Sequence, residues 1–265
     1  THSGKIIEPL YDRLKSHIQT HYPRSIRDEM LIIIQEAKIP NSFIPVFLLK
    51  ILTRIVQSAR SSNEINQDKG VSVRMGVHSL ELLVGEAERI RSISHNIMAV
   101  PRPSDIFSIT QSVKFELAEF DDVSENRIKV LKTLISNAMK ETSLEYLTGI
   151  DSSILDMIKK EFQGKSFQVS QAILGTNSSQ TSYDNQLKNF NSLLTLINGI
   201  YQKVTSDQED FVKETKKHEM TANSLIISEN SQNELKAGVV ELVLDGLCWL
   251  EPKILDKKEG TYVAS

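Results

Sequence analysis

Between Leu187 and Val204 the residues Leu187, Phe190, Leu193, Leu194, Ile197, Ile200, Tyr201 and Val204 recur at intervals of three and four. That period gathers them on one stripe of an α-helix and excludes a strand, in which side chains alternate every two residues. The same spacing governs most of the chain: Met30, Ile33, Ile34 and Ala37; Val46, Phe47, Ile51 and Ile55; Val77, Leu80, Leu83, Val84 and Ala87; Leu131, Leu134, Ile135, Ala138 and Met139. An apolar stripe has to be covered by another element, so several of them in succession predict helices packed on helices and a mainly α fold.

Cap and breaker residues set the expected boundaries. Ser25 caps a helix to about Lys38, Ser42 caps a second with Pro45 in its first turn, and Ser72 opens a third that ends near Ser92. The prolines of "VPRPSD" make an extended connector before a short helix from Ser104 and Asp105 to about Ser112. A long helix follows over 123–147, then one capped by Asp151 or Ser152 and ending near Phe162, and a last one over Asn233–Leu250. Residues 175–186 are polar and read as a loop, and 205–224 have no decisive period. One stretch is different. Ile18, Thr20 and Tyr22 alternate with His17, Gln19 and His21 before Pro23, the pattern of a strand.

The totals exclude several classes. Apolar residues at 40% and charged ones at 25% suit an ordinary folded protein. The longest apolar run, Met30–Ile34, is far too short for a membrane span. Cys248 is the single cysteine, so no internal disulfide or thiolate cluster can form, and a reducing cytoplasm is expected. Charge is uneven, +4 over residues 1–102 and −7 over 103–265. The basic part suits an anionic ligand such as a nucleotide, whereas the acidic remainder argues against nucleic acid.

No independent catalytic centre is legible. The G-x-x-x-x-G-K-[ST] phosphate loop, the G-x-S-x-G elbow and H-E-x-x-H are all missing from these residues. His17 and His21 fall on one face of the expected strand, but four residues at ~3.3 Å each separate them by ~13 Å, too far to share an ion. Arg74 falls in the first turn of the third helix, where its charge opposes the macrodipole. An anion nearby would remove that conflict, and a helix N-terminus also attracts phosphate. On spacing alone a solvent-facing Arg74, or one paired with Asp68 or Glu81, is the simpler reading. Arg13 beside Asp12 reads equally well as a local charge pair.

A resemblance shifts that balance. "GKIIEPLYDRLKSHIQTHYPRS", "INQDKGVSVRMGVHSLELLVGEAER", "VPRPSDIFSI" and "AGVVELVLDGL" resemble, in order, AAA+ ATPases of the magnesium-chelatase type. The resemblance implies the tail end of an AAA+ α/β core over 1–24, a helical lid over 25–112 and a C-terminal helical region over 113–265. It implies that Arg13 is an arginine finger reaching a neighbouring subunit's nucleotide, and that Arg74 is the lid residue touching the γ-phosphate. ATP and Mg2+ are the implied cofactors of the intact protein. Its implied partners are a hexameric ring of copies and a von Willebrand A-type protein. The Walker A and Walker B motifs of such ATPases have no counterpart here, so the chain reads as the C-terminal portion of a longer polypeptide and should not hydrolyse ATP alone. The alternative is a helical interaction module, derived from such an ATPase and without activity.

Overall fold

In the computed structural model, Gln232–Leu247 forms a helix in which every residue from 234 to 247 except Lys236 is buried. A helix buried on all sides can only sit in the middle of a fold, and the other elements wrap around this one, three of its buried side chains being the acidic Glu234, Glu241 and Asp245. The structure describes residues 20–66, 71–111, 117, 124–172, 182–220 and 223–265, with 9, 12–14, 16 and 18 ahead of them.

In chain order the helices are α1 (Ile26–Glu36), α2 (Val46–Ser61), α3 (Arg74–Ala87), α4 (Ser124–Leu147), α5 (Ser152–Glu161), α6 (Tyr183–Leu187), α7 (Asn191–Lys217) and α8 (Gln232–Leu247). From α3 the chain runs on through a π-helical turn, Glu88–Ser92, and a last turn to His95, and a 3-10 helix spans Pro103–Gln111. A small antiparallel sheet, β1 (Phe167–Gln168), β2 (Leu255–Lys258) and β3 (Thr261–Ala264), has the order β1-β3-β2. Helix α4 packs against both α2 and α8. Buried side chains from 25–112 and from 113–265 therefore belong to one apolar core. Gly246 makes the α4–α8 approach possible, because a Cβ there would stand 3.1 Å from Ser143 Cβ and 2.4 Å from Leu147 Cδ1.

Several sequence expectations need correction. Residues 18 and 20–22 form no strand: they pair with no backbone among the described residues, and Ile18 is 90% exposed. His17 and Gln19 lie outside the described residues. Ser25 caps α1 as expected, accepting from Asp28 N at 3.0 Å. Ser42 does not cap α2; its hydroxyl donates to Ile39 O. The first amide of α2, Val46 N, instead donates to Gln208 Oε1 at 2.8 Å, and Gln208 Nε2 donates to the carbonyls of Ile44 and Leu225. The cap thus arrives from α7, more than 160 residues away in the chain. Gln208 also explains why 205–224 concealed its helix. The buried stripe continues through Val204, Gln208, Phe211 and Thr215, two of which are polar. Part of the expected loop 175–186 is the short helix α6, while 173–181 lie outside the described residues.

Candidate functional site

Arg74 opens α3, and the chain mounts that helix end rigidly. Gly76 lies against α1 and α2, where an added Cβ would come within 2.6 Å of Ile33 Cδ1 and 3.4 Å of Val56 Cγ2. Just ahead of the helix, Val71 O accepts from Arg60 Nε at 2.8 Å. Arg60 also forks onto the fully buried Glu29 at 2.6 and 3.0 Å, and Gln57 completes that carboxylate at 3.1 Å. A buried carboxylate is stable only with such partners, so Glu29 fixes Arg60 and Arg60 fixes the entry to α3. On its other side the Arg60 guanidinium carbon lies 4.1 Å from the centroid of the Tyr22 ring. Arg60 therefore grips both the segment that follows Arg13 and the loop that precedes Arg74. A signal was present in the sequence: Glu29 falls four residues before Ile33, on the apolar face of α1, where an unpaired carboxylate would be costly.

The structure does not bring Arg13 and Arg74 into contact. Both are exposed, and neither has an ion-pair partner among the described residues. Asp68 lies outside the described residues, and Glu81 accepts instead from Lys38 N at 2.9 Å. The expected anion-binding amides at the start of α3 are already engaged. Arg74 N donates to Ser72 Oγ, Met75 N to Ser72 O and Gly76 N to Val73 O. What remains for an anion is the Arg74 guanidinium and the residual dipole of α3, which fits a single contact to a phosphate rather than a cradle around it. Leu14, Ile18 and Tyr22, on the Arg13 side of Arg60, expose apolar surface that the described residues leave uncovered.

Two further charge clusters went unpredicted. Asp207 receives Lys50 at 2.6 Å, Arg27 at 3.0 Å and the Tyr146 hydroxyl at 2.5 Å, tying α1, α2, α4 and α7 together. Burial by itself would raise the Asp207 pKa, but hydrogen bonds from Lys50 and Tyr146 outweigh it and hold the group below its ordinary range. Deeper still, Arg91 and Arg102 meet Asp105, Glu234 and Glu241, all five almost inaccessible to water. Burial raises Glu241, and it keeps Tyr183, which donates to Glu241 Oε1 at 2.8 Å, protonated far beyond neutral pH. Helical periodicity carries no trace of these pairings, because the partners come from distant segments.

His21, His78, His95 and His218 are exposed, and among the described residues no group of three or more His, Cys, Asp or Glu is placed to hold a metal ion. No described helix is long and apolar enough to cross a membrane. Compared with protein-family models, curated proteins and solved structures, the chain finds no match.

Proposed function

We propose that the chain is the helical, C-terminal part of a ring-forming AAA+ ATPase of the magnesium-chelatase type, which couples ATP binding and hydrolysis to remodelling of a partner protein. The observation that carries this reading is the double grip of Arg60, which holds the Tyr22 end of the Arg13 segment and the Val71 carbonyl ahead of Arg74. Two guanidiniums without an ion-pair partner among the described residues thus flank segments that Arg60 holds to one buried anchor, Glu29. In a ring, Arg74 serves the nucleotide of its own subunit and Arg13 that of the neighbour, so the two have no need to touch. The exposed Leu14, Ile18 and Tyr22 offer apolar surface that a neighbouring body of the ring could cover.

In this reading ATP with Mg2+ supplies the phosphoryl chemistry and the energy. The phosphate loop and magnesium ligands are contributed from outside the 265 residues. Arg74 binds and orients the terminal phosphate, and Arg13 stabilises charge on it from the next subunit, a role worth ~10³–10⁵ in rate in other ATP- and GTP-hydrolysing enzymes. A hexameric ring, a von Willebrand A-type partner and a cytoplasmic setting belong to the same proposal.

The experiment is ATP turnover and nucleotide binding by the polypeptide in which this chain is joined to its phosphate loop. Arg13→Ala abolishes turnover and spares binding; Arg74→Ala weakens both. Parental turnover by the Arg13 variant overturns the finger assignment. If the joined polypeptide neither binds nor hydrolyses ATP, the non-enzymatic interaction module stands instead.

A further inference from the structure

A groove runs between the 3-10 helix Pro103–Gln111, the middle of α4 and the chain that follows α8. Met139 forms its buried floor, while the rings of Phe107 and Trp249 on its walls remain 38% and 39% exposed. Two adjoining cavities, of about 350 and about 240 Å3, share Phe107, Met139, Asp245 and Lys257. At Ser136 the larger one meets an open depression along α4, beside Ile128, Lys129 and Lys132.

The rim is basic. Lys129, Lys132, Lys253 and Lys257 line it, and Lys140 Nζ stands 5.4 Å from the Trp249 ring centroid. Three carboxylates face these five ammoniums along the rim, and a fourth, the buried Glu241, lines the smaller cavity and is engaged by Arg102 and Tyr183. Asp245 is held by Lys257 at 2.7 Å and by the Tyr262 hydroxyl at 2.8 Å, and Asp256 by Lys253 at 2.5 Å. Glu125 sits at the far end of the depression. Lys129 and Lys132 have no ion-pair partner among the described residues. On a chain of net charge −3, this strip is a local reversal of sign.

We propose that the groove docks an acidic, extended protein segment bearing one large apolar side chain. The apolar group enters between Phe107 and Trp249, and the carboxylates lie along Lys129, Lys132 and Lys140. Shape selects an extended ligand over a small anion. From Lys129 to Ser136 the helix rises ~10 Å at ~1.5 Å per residue, which adds about three extended residues to whatever fills the cavities. Charge disfavours a second copy seated face to face, since a two-fold interface would set lysine against lysine.

Trp249 is the only tryptophan, so its emission reports the groove directly. The probe is a synthetic heptapeptide of glutamates around a central leucine, titrated into the full chain. A saturable change in Trp249 emission is expected, weakened severalfold between low and physiological ionic strength. Replacing the glutamates by lysines, or the leucine by serine, should abolish it. Lys129→Glu with Lys132→Glu, both exposed and without an ion-pair partner among the described residues, should weaken binding about tenfold at unchanged thermal stability. No saturable change up to millimolar peptide, or equal binding of the lysine peptide, overturns the proposal. Emission that depends on protein concentration alone also overturns it, in favour of a second copy.

Discussion

Removing the Asp105 carboxylate should damage this protein more than any surface change. Asp105 receives both arms of Arg91, at 2.9 and 2.5 Å, and also the backbone N–H of Arg102 at 2.8 Å. Arg91 is 2% exposed and Asp105 fully buried, so water cannot take the place of the lost partner. Arg91 Nε lies 3.1 Å from Glu234 Oε2, an ion pair by distance, but that N–H makes no hydrogen bond, and Glu234 is a poor substitute for the missing fork. Breaking one side of a buried pair costs ~3–5 kcal/mol. For a chain of this size Asp105→Ala should therefore lower Tm by ~6–20 °C. Replacing Arg91 and Asp105 together by Met and Leu removes both charges and should recover part of the loss, short of ~1 kcal/mol each for the Arg102 amide left without its acceptor and the Val100 carbonyl left without the Arg91 donor. The assay is reversible urea unfolding followed by circular dichroism. If Asp105→Ala unfolded within ~1 kcal/mol of the parent, the pair would be contributing no more than a surface bridge, and the reasoning would fail.

Gly260→Ala should destabilise by ~2 kcal/mol or more, because the residue sits at φ 79° with Val169 O only 2.6 Å from where a Cβ would stand; the same unfolding curves read it. Burial and the nearby Asp245 push the Cys248 thiol up to about 12. Its alkylation by iodoacetamide near neutral pH should run ~10³-fold slower than that of an ordinary thiol and recover in denaturant. Asp207 and Glu145 are both held below their ordinary values, 3.8 and 4.5, by Lys50 and its neighbours against the opposing effect of burial. A depressed carboxylate pKa stabilises the fold above the unfolded value and loses that contribution as pH falls through the folded one. The urea midpoint should accordingly drop as pH falls below ~4.5, and Lys50→Met should flatten that drop.

The proposed site divides along the same line as the fold. Arg74 at a helix start and Ser25 as a cap can be read from local sequence, because each depends on neighbours within four residues. The engagement of the α3 amides could not be foreseen from composition, since Ser72 and Val73 had to adopt a particular turn to satisfy them. The hairpin β2–β3 passed unread for a related reason. Glu259 and Gly260 both take positive φ, the demand of a two-residue turn, yet Glu-Gly lacks the asparagine or aspartate that usually announces one.

Helical periodicity by itself determined where α1, α2, α3, α4 and the first half of α7 run and which of their faces are apolar, because that information is carried by spacings of three and four along one segment. Which helix covers which face, that Gln208 caps α2, that Glu29 anchors Arg60, and that five charged groups share one interior were decided only in three dimensions. Polar groups buried in a core are stable only beside complementary partners, and those partners lie from 14 to more than 160 residues away in the chain.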